Sequence, residues 1–312
     1  MTNKKERIIS KKHAKRSFFS VGLVLIIYSL LVLILPIVFK YQMDMSNSSI
    51  LTDPILYYGI YFIDVVLGSF IPFFLLKLLS KVKNRKIFRT AKISFSDLLI
   101  QTVVFFAVCM CLIYASSMIL NTFGYEGRLL SSIGLNFDAE NLSYPLYIFM
   151  LIIVTPFIEE YVFRGVLLSS LGRFGKRFAL FASAIFFALA HNTIGEILPA
   201  FAMGMLLGKI TLRYKSIQPA IIMHIFFNGF LYLLCILPSK IAMYMTYGIA
   251  VICILAAYLV LSKKYKKITV QKLRSNELTN VLFYTRPTVL ISIVLMIVHI
   301  LLMYLVNFNI AI

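Results

Sequence analysis

The chain has 312 residues, of which 61% are hydrophobic, with a formal net charge of +19 and a mean hydropathy of +0.91. Soluble domains average roughly 45–50% apolar residues, so this composition excludes a water-soluble globule. The positive charge sits in short basic stretches between apolar runs, with no soluble unit to carry a nucleic-acid face, so the expected contact is with the lipid bilayer and its anionic headgroups and no nucleic-acid partner is expected.

In chain order, apolar runs long enough to cross a hydrocarbon core of about 30 Å, which takes roughly 20 helical residues, fall at 18–39, 55–79, 97–120, 144–168, 217–237, 241–261 and 288–310. Two shorter runs, 178–191 and 197–212, lie between the fourth and fifth; runs of 14 and 16 residues fit buried or tilted helices as readily as simple spans. Charge decides between these. Cytoplasmic loops collect Lys and Arg, and if all nine segments cross with the N-terminus inside, the inside pieces 1–17, 77–96, 172–177, 209–216 and 262–287 hold 27 of the 31 basic residues. Omitting either short run would place the basic loop KKYKKITVQKLR outside. The expected fold is therefore all-α: a polytopic, multi-pass helical bundle in the cell membrane, with about nine transmembrane helices and a cytoplasmic N-terminus. The first run follows a basic stretch as in a signal peptide, but it is too long and lacks a small-residue cleavage site, so it is expected to stay as an anchor. Cys109, Cys111, Cys235 and Cys253 lie in apolar segments without metal-ligand spacing beyond one C-x-C and are read as packing residues.

Polar residues at membrane depth divide the chain into peripheral N-terminal helices at 1–143, a core at 144–237 and C-terminal helices at 238–312. The core opens with TPFIEEYVFRG, residues 155–165. Charged side chains in lipid are costly and normally face a bundle interior or a watery cavity. Glu160 and Arg164, four apart, share a helix face and are placed to pair, whereas Glu159 points roughly 100° away with no obvious partner. An unpaired carboxylate in low dielectric suits a general acid or base; a purely structural knot of all three charges is the competing reading. FFALAHN sets His191 at the end of a short apolar helix, and IIMHIFFNGF stacks His224 and Asn228 on one face, where they could act in chemistry or as hydrogen-bonding glue between helices. At about 1.5 Å per residue, Arg164 and His224 lie roughly 12 Å from the cytoplasmic side and His191 roughly 20 Å, so the short helix is expected to tilt or to start earlier. Asp64, near the middle of the second span, is read as a protonated or hydrogen-bonded structural group, Glu196 as a loop or cap residue at the outer surface, and His13 and His299 as uninvolved in chemistry.

EEYVFR fits E-E-x-x-x-R, FALAH (187–191) fits F-x-x-x-H, and HIFFN (224–228) fits H-x-x-x-N. In this order, in three apolar helices, the trio resembles the CPBP family, the CAAX proteases and bacteriocin-processing enzymes also called Abi, over about residues 144–237. The resemblance implies an intramembrane endopeptidase in which Glu159 activates water with help from His191, His224 and Asn228 donate hydrogen bonds to the oxyanion, and Glu160 with Arg164 fixes the geometry of the first helix; the two glutamates could exchange roles. The family has been described as metalloproteases, and Glu159, His191 and His224 would make a His/His/Glu zinc set with an open position for water. No H-E-x-x-H is present, and Asn228 stands where a second histidine ligand would be. The expectation is a metal-independent glutamate mechanism without a cofactor, with Zn²⁺ as the alternative. The implied partner is a membrane-associated peptide or protein. The Lys-, Ile-, Asn- and Phe-rich composition points to an AT-rich bacterium, where the resemblance favours bacteriocin or pheromone precursor processing, or self-immunity, over cleavage of prenylated proteins. The competing class is a non-catalytic scaffold or transporter-like protein using the same polar cluster structurally. A transporter would be expected to show Gly- or Pro-broken helices in two related halves, and the sequence has no such halves.

Overall fold

The computed structural model describes residues 11–45, 62–63, 66–122, 145–191, 193–238 and 277–310, together with 240–241, 244–248, 251 and 255. Asp64, Cys253 and most of the expected span 241–261 lie outside the described residues. Among the described residues the protein is all-helical, without strands. Helix α1 is Lys11–Met45, α2 is Ile71–Ser80 led in by a π-helical turn Val66–Phe70, α3 is Asn84–Ile87 and α4 is Phe95–Thr122. The helix of the E-E-x-x-x-R motif, α5, is composite. It runs from Pro145–Phe149 through a π stretch Met150–Val154, an α turn Thr155–Glu159, a second π stretch Glu160–Leu167 and a last turn Leu168–Leu171, with right-handed helical dihedrals at each junction from Phe149 onward. A 3₁₀ turn Gly172–Phe174 leads to α6, Lys176–Leu189; then follow α7, Ile194–Tyr214, α8, Gln218–Ile236, α9, Glu277–Tyr284, and α10, Pro287–Ile310.

Among the described residues four helices are long and apolar enough to cross a membrane: the His13–Leu35 part of α1, and α4, α7 and α8. The run expected at 197–212 is thus lengthened to 21 residues, because Ile194, Gly195 and Glu196 join its first turn and Arg213 and Tyr214 its last. By contrast α6 keeps only 14 residues. Gly175, at φ 140°, a conformation side-chain-bearing residues avoid, makes the sharp corner between the 3₁₀ turn and α6.

Between apolar helices in lipid the hydrophobic effect supplies little, and close packing at small residues carries association. The most extensive helix pairings are α6 with α7, α1 with α10, and α7 with α4. In the first, Gly204 lies so near α6 that a Cβ there would sit 2.9 Å from Ala184 Cα. With Gly208 it forms G-x-x-x-G, facing Leu180 and Ala184. Gly204→Leu is therefore expected to force α6 and α7 apart and destabilise the protein by about 1–3 kcal/mol, the usual penalty of overpacking. Gly172→Ala, where the added methyl meets nothing within 4 Å, is the matched control; thermal unfolding in detergent compares the two. At one end of the bundle, Phe18 of α1 and Phe178 of α6 both pack edge-on against Phe283 of α9, with ring centroids 5.2 and 5.0 Å away. These contacts tie the flanking helices to the core.

Candidate active site

Local geometry in α5 begins at Pro156. Within the first π stretch the Thr155 N–H donates to the Met150 carbonyl, five residues back. The Leu151 carbonyl thereby loses its α-helical donor, and its π-helical donor would be residue 156, a proline without an N–H. Asn228 of α8 supplies the missing hydrogen: its Nδ2 donates to Leu151 O at 3.0 Å. The H-x-x-x-N helix is thus pinned to the glutamate helix by a bond that the proline makes necessary. π-helical turns recur at functional sites, and the second one here carries Glu160 and Arg164.

Glu160 is fully buried and saturated on one oxygen. Arg164 Nη1 lies 2.9 Å from Glu160 Oε1, and His224 Nδ1 donates to the same oxygen at 3.0 Å. The pairing expected from the i, i+4 spacing is present. The Arg164 guanidinium also stacks over the Phe187 ring, 3.9 Å from its centroid, a cation–π contact strengthened by exclusion of water. Glu159 stands apart from this knot. Its side chain is 26% exposed, and its Oε2 faces His224 Nε2 at 3.6 Å. His224 therefore lies between the two glutamates, with Nδ1 committed to Glu160 and Nε2 turned toward Glu159.

His191 falls in the turn after α6, and its Nδ1 donates to the Phe187 carbonyl at 2.7 Å. A carbonyl only accepts, so Nδ1 carries the hydrogen and Nε2 is the nitrogen free to serve a water. Phe187 brings the parts together: its ring meets His191 edge-on at 4.7 Å and His224 at 6.2 Å, while Arg164 covers its face. The chain turns after Leu189, and the imidazole folds back onto Phe187. All six singled-out residues, Glu159, Glu160, Arg164, His191, His224 and Asn228, thus gather around α5.

Two groups escaped the sequence reading. Phe187 was visible only as the first letter of F-x-x-x-H. Tyr28, buried on α1, hydrogen-bonds Ser69 and lies within electrostatic range of Glu159; it belongs to no local motif. Glu196 also departs from expectation. It is half-buried in the first turn of α7, makes no backbone cap, and accepts a hydrogen bond from the Thr193 hydroxyl at 2.6 Å.

Glu159, His191 and His224 have the donor chemistry of a zinc site. Each imidazole already gives its Nδ1 hydrogen to an oxygen, as metal-bound histidines do. Yet among the described residues no three His, Cys, Asp or Glu side chains converge closely enough to hold an ion, so this arrangement does not fit a metal and no step is routed through one.

Comparison with known proteins covers this same region. Residues 141–230 match the family model described as Type II CAAX prenyl endopeptidase Rce1-like. A stretch of 93 residues is 37% identical to the membrane-embedded CAAX protease MroQ of Staphylococcus aureus (strain USA300), covering 28% of this chain and 38% of that protein. The chain thus matches well under half the length of that curated relative. No solved structure matches. The protein is a multi-pass membrane protein, and the part of it that builds the site is similar over residues 141–230 to the Rce1-like type II CAAX prenyl endopeptidases.

Proposed function

We propose that this protein is an intramembrane endopeptidase of the glutamate type, seated in the cell membrane and hydrolysing a peptide bond of a membrane-associated peptide or protein. Glu159 is the general base. Together with His191 Nε2 it holds a water, takes its proton as the water oxygen attacks the scissile carbonyl carbon, and returns that proton to the leaving amine when the C–N bond breaks. The oxyanion formed in between is met by His224 Nε2–H and by the second hydrogen of Asn228 Nδ2, the first being used on Leu151. For His224 to donate from Nε2 while Nδ1 bonds Glu160, the ring carries both protons. Two carboxylates, one guanidinium and one imidazolium then sum to zero, which suits a cluster at membrane depth. Glu160 and Arg164 hold the π-helical frame.

The observation that carries this reading is the asymmetry of the glutamates. Glu160 is buried, with Arg164 and His224 both on its Oε1, while Glu159 keeps a partly exposed carboxylate beside His224. The mechanism uses no metal. The likeness to a bacterial membrane-embedded CAAX protease supports a peptide or protein substrate in the membrane; within that class the reading favoured here is a bacteriocin or pheromone precursor, or a peptide against which the cell protects itself. The nine-crossing topology with the N-terminus inside places Arg164 and His224 at one depth. The test is a comparison of membrane-associated peptides, by mass spectrometry, between cells carrying the intact protein and cells carrying Glu159→Ala. One or more peptides should be shortened only in the former. Identical peptide profiles would count against peptidase activity.

A further inference from the structure

Residues 81–92 read KVKNRKIFRTAK, six basic residues in twelve, and no Asp or Glu stands anywhere from 65 to 96. Helix α2 ends sharply before this stretch: Lys81, in the left-handed region at φ 54°, gives its N–H to the Leu78 carbonyl, and Val82 gives its own to Lys77. Leu78 and Leu79, the last apolar residues of α2, are exposed, as is Phe95 at the start of the membrane-length helix α4. The segment between them, with Lys81, Lys83, Arg85, Arg89 and Lys92 exposed, therefore lies where an apolar, lipid-covered surface gives way to charge. Its inner face is anchored on two sides. Ile87 is 1% exposed and sits against Gly165, the residue after Arg164: a Cβ at 165 would lie 2.9 Å from Ile87 Cγ2. Phe88 lies flat along the α5 rings of Tyr161 and Phe157, with centroids 5.9 and 6.3 Å away and ring planes only 15° and 16° apart. On the other side the Ile87 carbonyl accepts from the Ile217 N–H at 3.5 Å, and the Ala91 N–H donates to Gln218 Oε1 at 3.1 Å, both at the start of α8. One short segment thus bridges the helix of Glu159 and Glu160 to the helix of His224 and Asn228. Lys215, exposed two residues before Ile217, extends the basic surface.

We propose that residues 81–92 are a headgroup-binding strap: phosphates of anionic phospholipids, held by Lys83, Arg85, Arg89 and Lys215, keep Ile87 in the notch at Gly165 and so hold the two halves of the site together. Without counter-charge the six cations repel one another, which loosens a segment anchored by one wedge, one ring stack and two hydrogen bonds. Phosphates between them offset that repulsion, and each Lys or Arg beside the membrane gains from an anionic surface. Lipid phosphate is already present at this level, whereas an acidic protein would have to reach it among the headgroups. The binding stands by itself; its effect on turnover rests on the peptidase reading above.

Phosphatidylglycerol is titrated into the full-length protein in detergent, with phosphatidylcholine alongside, and the thermal midpoint is followed. Phosphatidylglycerol is expected to raise it more, and high salt to remove the difference. Lys83→Gln, Arg85→Gln and Arg89→Gln together should lower the apparent affinity for phosphatidylglycerol roughly 10²-fold, about fivefold per charge, and leave the midpoint in phosphatidylcholine unchanged. Turnover is then read in nanodiscs, with a quenched fluorescent peptide spanning the cleavage site that the membrane-peptide comparison identifies. The intact protein should run about fivefold faster when phosphatidylglycerol is mixed into phosphatidylcholine, the low end of coupling between sites. The triple variant should be equally slow in both bilayers, and Ile87→Ala, which keeps the charges and loses the wedge, should bind phosphatidylglycerol yet no longer respond to it. Equal midpoint shifts by the two lipids, or a triple variant that responds like the intact protein, would overturn the lipid surface whether or not any peptide is cleaved. Phosphatidylglycerol binding without faster turnover, beside an inactive Glu159→Gln, would overturn the clamp and leave the peptidase reading standing. No cleavage by the intact protein in either bilayer would overturn the peptidase reading and with it the clamp, the midpoints still deciding the lipid surface. A triple variant with a raised KM in phosphatidylcholine alone would assign the basic surface to an acidic segment of the substrate instead.

Discussion

Glutamine at position 159 is expected to lower turnover by about 10²–10⁴-fold, the contribution of a positioned general base, and to leave the protein folded. The substitution keeps shape and volume, and the partly exposed side chain can still face His224 Nε2 from 3.6 Å. What it loses is the lone pair basic enough to take a proton from water. Glu160→Gln should behave differently. There the carboxylate neutralises Arg164 in full burial and accepts from His224. Removing one partner of a buried ion pair costs about 3–5 kcal/mol, so this variant is expected to appear first as lost stability in detergent. Purified protein resolves the assignment: a stable, inactive Glu160→Gln beside an active Glu159→Gln would exchange the two roles. Chelator treatment of the intact enzyme should leave the rate unchanged, and loss of activity restored by zinc would replace the carboxylate mechanism with a metal one.

The motif residues were legible in the sequence because each pair sits at i, i+4, a spacing that fixes a shared face whatever the rest of the bundle does. Glu160 with Arg164 is the clearest case. The π-helical stretches were not legible. A shift from four to five residues in the hydrogen-bond register leaves no mark in a run as uniformly apolar as YIFMLIIV, and Pro156 by itself signals only a missing donor. That the missing donor comes from Asn228, on a helix more than 70 residues later, is a tertiary fact. The turn after Leu189 that folds His191 onto Phe187 was not legible either, because FFALAHN continues the apolar pattern up to the histidine. Glu196 was read as a loop or cap residue at the outer surface from its place after HNTIG; the bond its carboxylate accepts from the Thr193 hydroxyl depends on side-chain geometry that the letters do not give. G-x-x-x-G at Gly204 and Gly208 was present in the letters, but its meaning depends on Ala184 standing opposite.

Asn228→Ala is expected to lower turnover by about 10²–10³-fold, the range for loss of one oxyanion donor, and separately to weaken the bundle. The two losses have different origins. One Nδ2 hydrogen satisfies Leu151 O at 3.0 Å, and its removal leaves that carbonyl unpaired, at a cost of about 1–2 kcal/mol in helix association. The other is the one proposed to meet the developing charge, an interaction made mainly in the transition state and so felt in kcat with KM little changed. Asn228→Asp should be no better, since it offers neither hydrogen and sets a negative charge against both the carbonyl and the oxyanion. Pro156→Ala makes the two roles separable. An alanine at 156 restores a backbone N–H within the helix that holds the Leu151 carbonyl, so the structural need for Asn228 should fall away. The double variant Pro156→Ala, Asn228→Ala is therefore expected to regain much of the thermal stability lost by Asn228→Ala while staying slow. If the double variant instead recovers turnover along with stability, Asn228 is only the pin that replaces a proline's missing hydrogen bond, and the oxyanion is left to His224.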